Sequence, residues 1–442
     1  MHLTTTSRPR RSATGLVTAV AALALLAGCS PAAVAPSATL AADAATPVAA
    51  TPAPISTEPV TIEYFNFTAG ADHEDDLQAI IDGFQKENPT ITIKAQNAPY
   101  DEYFTSLKTR IAGNTAPDTF ELNYENFVSF AASGALLDLE SSAPGTVDKA
   151  VYFPKAYDAF NYKGVQLGVP ESFSVVVLIY NKDLFDKAGV DYPTADWTWA
   201  DEAAAATKLT DAAKGVFGEY QPVQFFEFYK SLAQSGGQFF NDDMSAATFN
   251  SEAGVAAATH LVEKVGTTMP TEAQMGGIGD DVLFQQGKIA MWHNGIWQFN
   301  NLLDIKSKWD IVVEPGNTQN ASHFFSNAAV ASTSTAHPVE SAKWLQYLSS
   351  SDITVQTRLN NDWELPAVAD PALLAPYTSI TPPDNRQAVF DSLDAVVVPP
   401  VIERQQELQD TVTLYLQKAV QGELSVKDAL DQAVEEVNAL LK

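Results

Sequence analysis

Few side chains of this sequence stand at the spacings that enzymes use for catalysis. There is no Gly-x-Ser-x-Gly segment to present a nucleophilic serine and no Walker A loop to bind phosphates. His73-Glu74 begins like the His-Glu-x-x-His motif of zinc proteases, but Leu77 stands where the second histidine is needed. The sequence therefore predicts a protein with no catalytic residue, no metal site and no cofactor.

The other titratable residues are either scattered or too abundant to form a recognisable motif. His260, His293, His323 and His337 occur singly, and none stands at metal-ligand spacing from an acid. With 54 Asp and Glu residues, carboxylate pairs arise by chance, so they give no argument for a glycosidase. A glycoside hydrolase or lyase that uses carboxylates in a cleft stays open as an alternative.

The charge balance limits the partners of the chain. Its 442 residues include 26 Lys and Arg against the 54 acids, for a formal net charge of −28. Such a field repels phosphate backbones and anionic lipid headgroups, and no basic stripe opposes it, so nucleic-acid binding is excluded. We expect a neutral or cationic ligand, or another protein, as the partner. The single cysteine, Cys29, also excludes a disulfide within the chain and a cysteine-rich metal site.

The N-terminal segment has the pattern of an export signal. Three arginines precede an apolar run at 16–27, which is shorter than the roughly 20 residues of a membrane-spanning helix. The run ends in Leu-Ala-Gly-Cys29, which resembles the lipobox of bacterial lipoproteins. We predict a signal peptide at 1–28, lipidation of Cys29, and an Ala/Pro/Thr-rich tether at 29–57. The folded body would then lie outside the cytoplasm, in a periplasm or on the cell surface, and reach the membrane only through the lipid.

The rest of the sequence alternates strands and helices. Apolar patterns predict strands at 60–67, 91–95 and 119–123, with helices between them. A β-α-β-α-β order implies a parallel sheet with helices on its faces. The apolar run 175–180 predicts a strand buried on both faces and begins a second set of strands and helices. These two sets predict an α/β body of two lobes, with a ligand cleft between them.

Five short segments of this body match the pattern of a known family. They are Phe-Gln-Lys-Glu-Asn-Pro at 84–89, Ala-Pro-Asp at 116–118, Gly-Ala-Leu-Leu-Asp-Leu at 134–139, Tyr-Asn-Lys-Asp-Leu-Phe-Asp-Lys-Ala-Gly at 180–189 and Gln-Gly-Lys-Ile-Ala-Met at 286–291. With these segments the chain resembles the sugar-binding lipoproteins of bacterial ABC importers, in the group of the maltose- and multiple-sugar-binding proteins. The resemblance implies a two-lobed, periplasmic-binding-protein-like (type II) fold. It places the N-lobe at 58–167 plus 316–358 and the C-lobe at 170–313 plus 362–442.

The same resemblance implies a receptor rather than an enzyme. Such a monomer captures a small carbohydrate by closing its lobes and delivers it to permease subunits in the membrane. The same fold could instead take a polyamine, an amino-acid derivative or a metal chelate, which the acidic balance permits.

Sugar sites combine aromatic rings, which cover the C–H faces of the sugar, with amide, carboxyl and hydroxyl groups that bind its hydroxyls. Trp297 is the first candidate, because counted from Gly295 it matches a tryptophan that stacks on sugar in the maltose-type proteins. Leu122-Asn123 stand where those proteins have another stacking tryptophan, which argues against a maltodextrin. The resemblance places ligand contacts at several strand ends and near the crossovers between lobes, and loop or crossover position adds others. The predicted ligand-binding residues are Asn66, Phe67, Asn123, Tyr124, Glu125, Glu171, Ser174, Phe225, Phe226, Asn294, Trp297, Asn327 and Trp363.

Overall fold

Ten strands of the described residues build one large sheet that helices cover on both faces. The computed structural model describes residues 56–70 and 72–442, apart from the side chains of Lys155 and Pro371. The predicted signal peptide, Cys29 and nearly all of the predicted tether lie outside the described residues. The strands are β1 (Val60–Asn66), β2 (Ile91–Asn97), β3 (Thr119–Asn123), β4 (Asn161–Tyr162), β5 (Val165–Gln166), β6 (Gly168–Asn181), β7 (Phe217–Tyr220), β8 (Ile289–Gly295), β9 (Trp309–Val312), β10 (Ser322–Ala331), β11 (Leu365–Pro366) and β12 (Val396–Val397).

The helices connect these strands and make up most of the C-terminal part. They are α1 (Glu74–Glu87), α2 (Tyr100–Ala112), α3 (Tyr124–Ala132), α4 (Leu139–Ser142), α5 (Pro154–Asp158), α6 (Lys182–Ala188), α7 (Trp199–Leu209), α8 (Phe225–Gln234), α9 (Glu252–Lys264), α10 (Glu272–Met275), α11 (Asp280–Gln285), α12 (Phe299–Leu302), α13 (Pro338–Ser350), α14 (Asp352–Asn360), α15 (Pro371–Leu374), α16 (Gln387–Asp391), α17 (Gln405–Val420) and α18 (Val426–Leu440). Short 3-10 helices lie at Lys149–Val151, Ala212–Lys214, Ile296–Gln298, Ala375–Ser379 and Ser392–Ala395.

The sheet has two parts that share one long strand. Its order is β2-β1-β3-β10-β6-β8-β7, with β9 and β11 also paired to β6 and β12 to β10. Residues 168–175 of β6 pair with β10, whereas residues 176–180 pair with β8. All residues of β6 are buried. The α/β fold with two lobes is therefore confirmed, and β6 carries the chain from the lobe around β1–β3 to the lobe around β7–β9.

Alternate residues of these strands enter different cores, which is why the sheet is covered on both faces. In β10, Ala329 and Ala331 pack into the core beneath α1 and α13, whereas Ala328 and Val330 pack into the core of α2 and α3. In β6, Val177 and Leu178 likewise enter separate cores. A period of two in side-chain direction accounts for this division. The lobe boundaries stated above stay a prediction.

The segment 180–189, the most specific match to the family pattern, is a strand-to-helix turn. The side chain of Asn181 accepts a hydrogen bond from the backbone N–H of Leu184 at 3.1 Å and so caps α6. The helix ends at Gly189, whose φ of 65° is the left-handed conformation that glycine adopts without strain. Across residues 56–70 and 72–442, no helix is both long and apolar enough to span a membrane.

Candidate functional site

A cavity of about 600 Å³ lies where the ends of β1, β3 and β8 meet the middle of β6 and β10. The link between α14 and β11, at residues 361–364, closes one side. Strand ends leave side chains and loop backbone free to face a ligand, which is the usual place for a site in α/β folds. The structure brings these predicted residues to the cavity wall: Phe67, Asn123, Glu125, Ser174, Phe226, Asn294, Trp297, Asn327 and Trp363.

Four predicted residues do not line this cavity. Asn66 uses its amide locally, donating to Asn97 Oδ1 at 2.7 Å and accepting from the N–H of Ala69 at 3.2 Å. Glu171 is buried against Arg358, with Oε1 and Nη2 2.6 Å apart. Tyr124 is partly buried against the core of α2 and α3, and Phe225 is 1% exposed within the core of the other lobe. The ligand contacts of all the predicted residues stay a prediction.

Aromatic rings from both lobes face the cavity. Trp297 lies edge-on to Phe325 with ring centroids 5.7 Å apart, and Phe226 contacts the same ring at 5.7 Å. Phe67 and Tyr100 form a second pair at 5.3 Å on the opposite lobe. Rings that already contact one another lose little freedom when they stack on a ligand. The rings of both lobes are therefore suited to pack against apolar faces of a ligand.

Gly295 explains why Trp297 can occupy this position. A Cβ atom on residue 295 would stand 1.9 Å from Cζ3 of the indole, so only glycine leaves room for the ring. Trp363 is a different case, because its ring already stacks on His73 at 5.1 Å and on the Arg358 guanidinium at 4.2 Å. Trp363 therefore forms a packed part of the wall and leaves less of its face for a ligand.

Glu125 is a buried acid of the N-lobe that lines the cavity. It is 1% exposed, and among the described residues its Oε2 atom has no hydrogen-bond donor. Burial raises the pKa of the Glu125 carboxyl to about 7. Nearby, Asn123 caps α3 and donates to the Tyr100 hydroxyl at 2.9 Å. A ligand hydroxyl that donates to Glu125 would supply the missing hydrogen bond.

The C-lobe side of the cavity rests on a buried charge network. His293 contacts Glu202 through Nε2 at 2.7 Å and Glu314 through Nδ1 at 2.8 Å. Lys230 contacts Glu314 at 2.6 Å and Glu227 at 3.0 Å. Burial opposes a charge on the ring, but the Glu202 and Glu314 carboxylates raise the pKa of His293 to about 9. His293 is therefore an imidazolium at neutral pH, with both N–H groups already donated.

Two groups in this network bring carboxylates and His293 within metal-binding distance of one another. They are Glu202, Glu219 and His293, and Glu227, His293 and Glu314. In the first group Lys264 Nζ lies 2.6 Å from Glu219, and in the second Lys230 Nζ stands between the two acids. An ammonium group thus supplies the positive charge that a metal ion would bring, and we interpret the network as ion pairs.

The cavity also includes residues that sequence reasoning missed, among them Tyr100, Glu227, His293, His323, Phe325 and Glu364. The scattered positions of the histidines and acids hid the charge network, since its members lie between residues 202 and 323 of the chain. The only available signal was position: His293, like the predicted Asn294, stands near the end of β8.

We expect the free energy of unfolding to fall as the pH rises from 5 to 9. Glu125 and Glu171 have pKa values raised by burial to about 7, so each binds more protons folded than unfolded between about pH 4.5 and 7. His293 extends the same trend from about pH 6.5 to 9. Urea denaturation at pH 5, 7 and 9 should show a progressive loss, of up to about 3 kcal/mol for each of these three groups.

The Glu125→Gln variant is the control for this dependence of the free energy of unfolding on pH. It removes one of the acids, so its stability should change less between pH 5 and 7, while the slope between pH 7 and 9 persists. Equal stability at all three pH values, or a rise towards pH 9, would contradict the assigned protonation states.

Comparisons with known proteins agree with this geometry. The family model described as bacterial extracellular solute-binding protein matches residues 70–354. The structure of ABC substrate-binding protein Lmo0181 from Listeria monocytogenes, in complex with cycloalternan, is 44% identical with a TM-score of 0.84 and covers 87% of this chain and 99% of that chain. The GacH receptor of Streptomyces glaucescens is 24% identical, with a TM-score of 0.77 over 87% of this chain and 98% of the receptor. An arabinooligosaccharide-binding protein of Halalkalibacterium halodurans is 23% identical over 250 residues, 55% of each chain.

Proposed function

Because the chain belongs to the bacterial extracellular solute-binding proteins, we propose that it is the receptor of an ABC importer and binds a neutral oligosaccharide between its lobes. The observation that carries this proposal is the composition of one cavity. It combines aromatic rings from both lobes with the amides of Asn123, Asn294 and Asn327 and the carboxyl of Glu125, whose Oε2 atom has no hydrogen-bond donor among the described residues. Rings for sugar faces and amides for hydroxyls are the complement of a carbohydrate.

The size of the cavity and the 44% identical relative suggest which sugar to test first. A volume of about 600 Å³ lies within the range of sites for ligands larger than a single small ring. The Listeria protein is in complex with cycloalternan, and its similarity to this chain extends over 99% of its length. We therefore propose an oligosaccharide that fits a cavity of about 600 Å³, and cycloalternan as the first candidate to test.

The charges of the wall favour neutral over acidic sugars. Acidic residues line the cavity at six positions: Asp72, Glu125, Glu227, Asp280, Asp362 and Glu364. Lysine and arginine are absent from the lining among the described residues. Lys230 and Arg386 neutralise Glu227 and Asp362, but Asp72, Asp280 and Glu364 form no ion pair among the described residues. A carboxylate on the ligand would lose its hydration and face these three acids.

We expect a neutral tetrasaccharide to bind at least about tenfold more tightly than its counterpart with carboxylates at C6, a difference of about 1.4 kcal/mol or more. Titration calorimetry of this matched pair measures the difference, and added salt should narrow it by screening. Equal affinity, or tighter binding of the acidic sugar, would contradict the proposed polarity of the site.

The proposal treats the protein as a receptor that leaves its ligand unchanged. A thermal-shift panel should include cycloalternan, linear neutral oligosaccharides, a polyamine, amino-acid derivatives and metal chelates. Stabilisation by neutral oligosaccharides, with intact sugar recovered after long incubation, is the expected result. Stabilisation by a non-sugar solute alone would support the alternative ligand class, and cleavage of the sugar would support the hydrolase or lyase.

The same proposal includes the delivery route. We propose that residues 1–28 are an export signal, that Cys29 carries the lipid, and that 29–57 tethers a monomeric body close to permease subunits. The mass of the mature protein, compared with that of a Cys29→Ser variant, would show the lipid directly. If the two proteins are processed equally and are released equally from the membrane, the predicted lipid anchor is contradicted.

A further inference from the structure

The link between α14 and β11 combines backbone strain with exposure to the cavity. Asp362 and Glu364 have φ values of 54° and 36°, in the left-handed region that side chains other than glycine rarely adopt. Both residues line the cavity, with Trp363 between them. Strained conformations persist only where surrounding contacts hold them, and they concentrate at functional sites.

Asp362 is held by a buried ion pair. The guanidinium of Arg386, which is fully buried, contacts both carboxylate oxygens, with Nη2 3.0 Å from Oδ2. Arg386 also donates to the carbonyl of Pro382 at 2.9 Å and stacks over the Tyr377 ring at 4.7 Å. This end of the link is therefore held by the segment 377–386, which leads into α16.

Glu364 is held by the two strands that run between the lobes. Its Oε2 atom accepts a hydrogen bond from Ser172 Oγ on β6 at 2.5 Å and one from Asn327 Nδ2 on β10 at 3.0 Å. Asn327 also stands at the irregularity in the β10–β6 register, where pairing skips a residue. One carboxyl oxygen thus joins three segments of the cavity wall: β6, β10 and the link 361–364.

The position of Glu364 also allows it to contact a ligand. It is partly exposed on the cavity wall, and among the described residues its Oε1 atom has no hydrogen-bond donor. A ligand hydroxyl that donates to Oε1 would fix the Glu364 carboxylate in the orientation in which Oε2 accepts from Ser172 and Asn327, and would so favour this arrangement. A ligand shifts a conformational equilibrium only through contacts that differ between the states.

We propose that Glu364 is a positioning residue that couples occupancy of the cavity to the relative placement of the lobes. It holds the three linking segments in the arrangement described here, and a bound ligand favours that arrangement through Glu364 and Trp363. The proposal rests on the proposed function for the identity of the ligand, but the hydrogen-bonded hub itself does not.

The test compares Glu364→Ala, Glu364→Gln and Ser172→Ala in the full body with cycloalternan as the ligand. Glu364→Ala should weaken binding about tenfold or more, mainly through faster dissociation, and Glu364→Gln should retain most of the affinity because one acceptor oxygen remains. Ser172 is fully buried and does not line the cavity. Ser172→Ala should nevertheless share part of the loss, and the double variant should lose less than the two single losses combined.

The proposal is overturned if Ser172→Ala binds with wild-type affinity and the double variant binds as Glu364→Ala does. Glu364 would then be an ordinary ligand contact. Hydrogen exchange without any sugar separates this proposal from the proposed function. Amides of 361–365 and 172–174 should exchange faster in Glu364→Ala than in the wild type, even if no tested sugar binds. Unchanged exchange in both Glu364→Ala and Glu364→Gln would also overturn it.

Discussion

Replacing Lys264 with methionine is expected to lower the free energy of unfolding by about 3–5 kcal/mol at pH 7. The Lys264 ammonium is 6% exposed and contacts Glu219 at 2.6 Å, Glu202 at 3.2 Å and the Gln221 amide oxygen at 2.7 Å. Methionine fills a similar volume but leaves buried carboxylates without their cation. Urea denaturation measures the loss, which should shrink towards pH 4 as those carboxylates take up protons.

Lys427→Met is the matched control for this prediction. Lys427 is 54% exposed and pairs with Asp431 one helical turn away on the surface of α18. Exposed pairs of this kind contribute little, so the control should change stability by less than about 0.5 kcal/mol. A loss below about 1 kcal/mol for Lys264→Met would show that these buried ion pairs do not stabilise the folded protein.

Replacing Trp297 with alanine is expected to weaken oligosaccharide binding by about 1–3 kcal/mol. Trp297 is half-buried against Phe325 and presents its ring to the cavity, so truncation removes a preorganised aromatic contact. Titration calorimetry with cycloalternan measures the change. Trp297→Phe, which keeps a ring, should lose less.

Two further variants test the geometry behind this prediction. Gly295→Ala should weaken binding to a similar degree, because its Cβ would collide with the indole 1.9 Å away. Trp197→Ala is the control, since this tryptophan packs in a separate core of the same lobe, 6.4 Å from the Phe185 ring. Unchanged affinity of Trp297→Ala would reject the residue as a ligand contact, and equal losses in both tryptophan variants would indicate a general loss of structure.

Local periodicity predicted the regular elements well. The strands expected at 60–67, 91–95 and 119–123 are β1, β2 and β3. The apolar run 175–180 identified only half of β6. Its other half includes Glu171 and Ser172, which are buried because they pair with Arg358 and Glu364 from distant segments. Hydrophobic patterns do not register such pairing, since it depends on tertiary contacts.

The candidate site shows a similar division. Strand ends located the cavity, but three of the four predicted residues outside its wall are direct neighbours of residues that line it: Asn66 beside Phe67, Tyr124 beside Glu125, and Phe225 beside Phe226. Adjacent side chains at the end of a strand or the start of a helix point in different directions, and sequence alone does not set which one faces inward. Glu364 was missed because its role follows from where β6 and β10 pass one another.

Titration calorimetry of the purified wild-type body with cycloalternan tests the central claim most directly. Capture of a neutral oligosaccharide between the lobes predicts saturable binding of one sugar per chain, with a dissociation constant of about 1 µM or tighter, and sugar recovered intact afterwards. Absence of binding to cycloalternan and to linear neutral oligosaccharides, by protein shown to be folded, would contradict the account.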